Sequence, residues 1–265
     1  MAPIRIGAVS YLNARPLVEG LSRWPERFHV RYDLPSVCAR LLHAGEIDLG
    51  LIPSIEYARG QGYAIVPDCA VASDGQVASV AIFTSVPIER VRTIALDTSS
   101  RTSVALTRVM AARHFGIAPV FVDHRPDLPA MLERAQAALL IGDPALFADH
   151  VRLGLDKIDL GAEWQAFTGL PFVFACWTGR PGAVDGRVVR TLQEARAAGE
   201  SDPIGVAARF FQNDPERAAI GGRYLQENIR FRLGARERAG LERFFALAAE
   251  VGVIDRVEPL RWLQG

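Results

Sequence analysis

Lysine is almost missing from this sequence: of 30 basic residues, Lys157 is the only Lys. The 30 acidic residues balance the charge to zero, so no overall field draws the chain to nucleic acid or to an anionic membrane surface. Cysteine is scarce as well. Cys38, Cys69 and Cys176 are scattered and odd in number, without CxxC or Cys/His spacing, which excludes a disulfide framework and a zinc site and leaves buried free thiols in a reducing compartment as the expectation. His29, His43, His114, His124 and His150 share no metal-ligand spacing. Long apolar runs are also lacking. Ile47–Ser54, Ala137–Ile141 and Phe172–Trp177 fall well short of the roughly 20 residues a membrane helix needs. The opening MAPIRIGAVSYL alternates like a strand instead of running from a charged region into an apolar one, so the expectation is an unprocessed, cytoplasmic chain with no membrane partner. There is no GxSxG, HExxH, Walker loop or GxGxxG after a strand. Neither a metal nor a cofactor is expected, and nothing specifies the oligomeric state.

What the chain does have is core and rhythm. Its 265 residues are 49% hydrophobic, enough for one large domain or two lobes. Arg5–Val9 reads as a strand that runs through Ser10-Tyr11-Leu12-Asn13 into a helix containing Pro16. A strand at Val30–Tyr32, a helix at Ser36–Ala44 and a buried strand at Asp48–Ile52 follow. The same order returns after residue 90, with strand Thr93–Leu96, helix Thr102–Phe115, strand Pro119–Val122, helix Leu128–Arg134 and strand Ala137–Ile141. A β-rich stretch, Tyr63–Phe83, and the run GLPFVFACW are placed to carry the chain between the two blocks. From Val188 onward the chain reads as helical, with Asp202-Pro203 and Asp214-Pro215 as helix starts, packing back on the first lobe. The expectation is an α/β protein of two lobes: lobe one from residues 1–84 plus 178–265, lobe two from 85–177, with hinges near Phe83–Val86 and Phe174–Thr178. A cleft between them would be lined by loops at the carboxyl ends of the strands, where open α/β sheets place ligands.

The chemistry sits in those loops. Asp97-Thr98-Ser99-Ser100-Arg101-Thr102-Ser103 puts five hydroxyls in seven positions at a helix start. One hydroxyl suffices for an N-cap, so the surplus points to a carboxylate or phosphate site on the free N–H groups. Ser10, Tyr11 and Asn13 offer a hydroxyl, a phenol and an amide at the matching corner of the first block, although Asn13 could equally be a plain cap. Ser54 and Asp143 complete the four strand-to-helix corners, with capping before Pro144 the leading account of Asp143. Arg15 and Arg101 are the nearest cations, and Arg101 is taken as a ligand contact. Ser79, in an otherwise apolar strand, reads as a core serine bonded to backbone.

Ile6-Gly7-Ala8-Val9-Ser10-Tyr11-Leu12-Asn13-Ala14-Arg15-Pro16-Leu17 resembles the opening signature of the menaquinone biosynthetic enzymes of the futalosine pathway, the family that contains chorismate dehydratase. Gly50–Tyr57, Asp97–Leu106, Ile141-Gly142-Asp143 and Gly169–Ala175 resemble that family's further blocks in the expected order, spanning about residues 4–178. The resemblance implies the type II periplasmic-binding-protein-like fold and a cofactor-free hydro-lyase reaction, loss of water from chorismate to give 3-[(1-carboxyvinyl)oxy]benzoate. It also implies Asn13 and Ser79 as catalytic positions. They would hold the enolpyruvyl carboxylate as an internal base while Ser99–Ser103 hold the ring carboxylate. The rival expectation is a solute-binding protein for a small aromatic or dicarboxylate anion on the same fold. A naphthoate-forming sister enzyme would open on a Ser-Pro-Cys-Pro-Asn type segment, where this chain has Ser-Tyr-Leu-Asn, and a pyrimidine-precursor synthase would show a Cys/His cluster.

Overall fold

The computed structural model describes residues 3–60 and 62–264. Two five-stranded mixed sheets form its framework. The first is built from β1 (Ile4–Val9), β2 (Phe28–Asp33), β3 (Leu49–Pro53), β4 (Ala64–Ser73) and β10 (Phe172–Gly179), in the order β2-β1-β3-β10-β4. The second takes β5 (Val80–Thr84), β6 (Thr93–Asp97), β7 (Val120–His124), β8 (Ala137–Ile141) and β9 (Asp156–Asp159), in the order β7-β6-β8-β5-β9. Strands β1, β2 and β3 run parallel, as do β6, β7 and β8. Central parallel strands are covered on both faces, which is why β3 (LGLIP) and β8 (AALLI) are apolar throughout and wholly buried.

The two sheets are copies of one plan. In each, the fourth strand is antiparallel and arrives from the other half of the chain: β5 beside β8, β10 beside β3. This pairing moves the crossovers from where the sequence put them. Val80–Thr84, expected in lobe one, pairs in the second sheet, and Phe172–Gly179, expected mostly in lobe two, pairs in the first. The chain therefore passes between sheets in segments 74–79 and 169–171. Apolar composition alone cannot say which sheet a buried strand joins.

Helices α1 (Arg15–Val18), α2 (Pro35–His43) and α3 (Ser54–Arg59) follow strands of the first sheet, and α4 (Arg101–Arg113), α5 (Leu128–Leu132), α6 (Gly142–Leu146) and α7 (Leu160–Thr168) belong with the second. On α4 the stripe of Leu106, Val109 and Met110 is fully buried. Strand β9 and α7 had no expectation: DKID is a short strand at the sheet's edge with three charged residues of four. The tail folds as α8 (Gly186–Ser201), α9 (Pro203–Phe210), α10 (Pro215–Glu227) and α11 (Ala235–Glu250), with Asp202 and Asp214 capping α9 and α10 ahead of a first-turn Pro. Among the described residues no helix is long and apolar enough to cross a membrane.

Candidate functional site

The carboxyl ends of both sets of parallel strands face a common interior cavity of about 40 Å³. Its polar lining comes from Tyr11 and Asn13 of the first lobe's corner and from Ser100 and Ser103 at the start of α4; its apolar lining includes Val9, Leu51, Val77, Val80 and Phe174. No lining side chain is charged. Ligand sites are usually about 300–1,000 Å³, whereas this one has room for a few waters, so the jaws are shut on each other here.

Several contacts join them, three of them between the corners at Tyr11–Leu12, Ser99 and Gly142–Asp143. The Tyr11 phenol lies 3.3 Å from the Ser99 hydroxyl, and burial pushes its pKa up to about 12. The Tyr11 ring packs on Gly142, whose φ is +66°; a Cβ there would stand 2.8 Å from the ring. The Asp143 carboxylate accepts the Leu12 N–H at 3.1 Å, and burial pushes its pKa up to about 6 against the pull of that N–H, Arg15 and Arg217. Asp143 thus does not cap its own helix, which starts after Ile141. It caps the turn at Leu12–Ala14 in the opposite lobe, a partner that no local sequence pattern reveals.

The serine-rich loop divides its work. Ser100 is the N-cap of α4, accepting from the Ser103 N–H at 3.4 Å, with the two hydroxyls 3.1 Å apart. Asp97, fully buried, accepts the N–H groups of Ser99 and Ile141 and so fastens the loop to β8. Thr102 and Ser54 are spent elsewhere: Thr102 accepts the Ile55 N–H at 3.1 Å, fastening α4 to the first lobe, and Ser54 donates to the Val173 carbonyl at 2.7 Å within that lobe. Neither lines the cavity, and nor do Ser79, Ser99 and Ser10, the last with its backbone N–H paired to Asp33.

Arg101 is not in the cavity lining either. Its guanidinium donates at 2.6 Å to Glu56, whose side chain is 2% exposed and also accepts from Arg59 at 2.9 Å and faces His43 at 3.0 Å. Burial pushes the Glu56 carboxyl up, but His43, Arg59 and Arg101 outweigh it and bring its pKa down to about 2. An ionised carboxylate only accepts, so His43 Nε2 carries the proton and its Nδ1 faces the Tyr63 hydroxyl at 3.0 Å. Arg15, the other candidate cation, stacks its guanidinium on the rings of Tyr32 and Phe210.

Ser79 departs most from expectation. It lies just outside β5, in the crossing segment, and its hydroxyl meets a side chain, the Tyr224 phenol of α10, at 2.7 Å. Asn13 caps no helix and lines the cavity. Ser79 thus meets a residue, Tyr224, that lay in the helical tail with no motif around it.

Among known proteins, the profile of the menaquinone biosynthesis family matches residues 4–250. The chain is 31% identical to the chorismate dehydratase of Thermus thermophilus, covering 92% of this chain and 94% of that one. It is 25% identical to the chorismate dehydratase of Campylobacter jejuni, covering 90% and 94%. Among solved structures, an Archaeoglobus fulgidus protein superposes with a TM-score of 0.77 at 17% identity, over 96% of this chain and 99% of that one. The periplasmic aliphatic sulphonate binding protein of Escherichia coli superposes with a TM-score of 0.65 at 17% identity, over 100% and 94%. The structural likenesses establish the periplasmic-binding-protein fold.

Proposed function

The chain belongs to the menaquinone biosynthesis family, and from that footing we propose that it is a hydro-lyase of the futalosine route that converts chorismate to 3-[(1-carboxyvinyl)oxy]benzoate and water. The observation that carries this reading is an interlobe cavity whose polar lining is neutral throughout. Chorismate brings two carboxylates, and in this reading the enolpyruvyl carboxylate, held by Asn13 and Ser79, is the base. A cation against it would lower its pKa by about 1–3 units and weaken it; amide and hydroxyl donors orient it at far smaller cost in basicity. Ser99, Ser100 and Ser103, at the start of α4, receive the ring carboxylate.

The step balances without any redox partner. The C–H bond at the ether-bearing ring carbon breaks toward the carboxylate, its electrons enter the ring, and the neighbouring C–O bond breaks. Proton and hydroxide leave as water, and the ring becomes aromatic. Charge that builds on the ring carboxylate in the transition state meets the donors at the start of α4. Holding the base within the substrate replaces an encounter with a fixed geometry, worth about 7–11 kcal/mol at the upper end. The lobes open beyond the roughly 40 Å³ seen here to admit chorismate, and closing them on it displaces water from the reacting atoms.

The cysteines are free and buried, with burial pushing their pKa values up to about 12, 12 and 11 for Cys38, Cys69 and Cys176. They are inert thiols suited to a reducing compartment, and we assign the enzyme to the cytoplasm on that ground. A second reading is supported by the likeness to a sulphonate binding protein: a receptor that closes on a small aromatic or dicarboxylate anion and leaves it unchanged. Turnover separates the two. Asn13→Ala and Ser79→Ala are each expected to lose most of the chorismate dehydration that wild type shows in the ultraviolet; full turnover in both variants overturns the assignment of these residues.

A further inference from the structure

We propose that Tyr224 is a positioning residue for the dehydration, its phenol orienting the Ser79 hydroxyl toward the enolpyruvyl carboxylate. The proposal rests on the chorismate reading and adds a residue to it from a helix outside both lobes' motifs. Tyr224 is 3% exposed and its hydroxyl stands 2.7 Å from the Ser79 hydroxyl. Burial pushes its pKa well above the usual phenol value, with Ser79 and Asn13 pulling the other way. The phenol therefore keeps its proton, and a buried proton needs an acceptor.

The phenol carries a single proton, and Ser79 Oγ, 2.7 Å away, is the acceptor the proposal assigns to it. Ser79 is not itself in the cavity lining but stands between Val77 and Val80, which are; accepting from Tyr224, its hydroxyl turns its own proton toward an anion held there when the lobes open and close on it. Asn13, in the cavity lining, turns its own amide N–H to the same anion. Each donor polarises the next without placing a charge near the base.

The surroundings show that the hydroxyl rotor is the one freedom left to fix. The Asp159 carboxylate accepts the N–H groups of Val77 and Ala78 at 3.0 and 2.6 Å, and Ala78 is held at φ +61°. Lys157, the one lysine, donates to the Ala78 carbonyl at 2.7 Å. The Ser79 carbonyl accepts the Gly142 N–H, and the Ser79 N–H reaches the Val77 carbonyl, both at 2.7 Å. With the backbone pinned on every side, Tyr224 sets where the Ser79 proton points. Helix α10 is also seated on the turn that carries Asn13: a Cβ at Gly221 would come within 2.7 Å of Leu12.

The test is steady-state kinetics of Tyr224→Phe on chorismate, with a melting curve beside it. The expected result is a fall in kcat of about ten- to a hundred-fold, as for a reacting group displaced by a fraction of an ångström to an ångström, with KM nearly unchanged. The pair Ser79→Ala and Ser79→Ala/Tyr224→Phe adds a readout that a merely structural role would not move. Acting through Ser79, Tyr224 costs much less in the Ser79→Ala background than in wild type. Because the double variant removes both hydroxyl partners together, it keeps the comparison available if Tyr224→Phe alone folds poorly. A Tyr224→Phe enzyme with wild-type kcat, or a full additional loss in the double variant, overturns the positioning role while leaving the reaction standing. A wild-type protein that leaves chorismate unchanged overturns the reaction and this role with it.

Discussion

The Asp143 carboxylate of the second lobe caps the Leu12 N–H of the first at 3.1 Å, so one hydrogen bond ties the corner at the end of β8 to the turn that carries Asn13. Burial holds the pKa of this carboxyl up, at about 6, so the folded chain keeps a proton that the unfolded chain gives up from its usual 3.8. A raised carboxyl contributes stability that is present in full below the unfolded value and is lost as pH rises through the folded one. Asp143→Asn keeps an acceptor oxygen and has no charge to bury. It should melt above wild type at pH 8, by up to about 3 kcal/mol for about two pKa units, and converge with wild type near pH 4. A calorimetric gap that stays constant across that range contradicts the assignment.

Gly142 lets the jaws meet. At φ +66°, with the Tyr11 ring 2.8 Å from where a Cβ would stand, alanine is both strained and in the way. Gly142→Ala should lose more than about 1 kcal/mol of stability and lower turnover by keeping the lobes apart, read from melting curves and from small-angle scattering. An unchanged radius of gyration and full activity would count against closure through this contact.

Glu56 has the opposite pH signature. Its carboxyl is held down to about 2 in the fold from a usual 4.5, so it contributes stability that is present above pH 4.5 and is lost as pH falls toward 2. Glu56→Gln weakens the hydrogen bonds of Arg59 and Arg101, which are 39% and 40% exposed and can turn to water, and should cost about 1–3 kcal/mol at pH 7. The gap to wild type should narrow steadily below pH 4.5 in acid titration of the fold.

The parallel strands, the helix starts at Ser100, Asp202 and Asp214, and the two-lobed plan were legible because each rests on local pattern: apolar runs, caps and first-turn prolines. The partners of the corner residues were not, because they lie far off in the chain. Asp143 looks like a cap for its own helix and caps Leu12 instead, 131 residues away. Arg101, beside the serine loop, looks like an anion contact until Glu56 is seen 45 residues earlier to hold it. Ser79 looks like a core serine because Tyr224 is 145 residues downstream. Resemblance to a family marked Asn13 and Ser79; the phenol that meets Ser79 became visible only in the fold.

The most direct measurement of the central claim is incubation of the purified protein with chorismate alone, without added metal or cofactor, followed by mass and proton spectra of the product. The account predicts a product lighter than chorismate by one water, with aromatic ring protons and the enolpyruvyl ether intact. Chorismate recovered unchanged, while another small anion binds tightly and unreacted, would contradict it and favour a receptor.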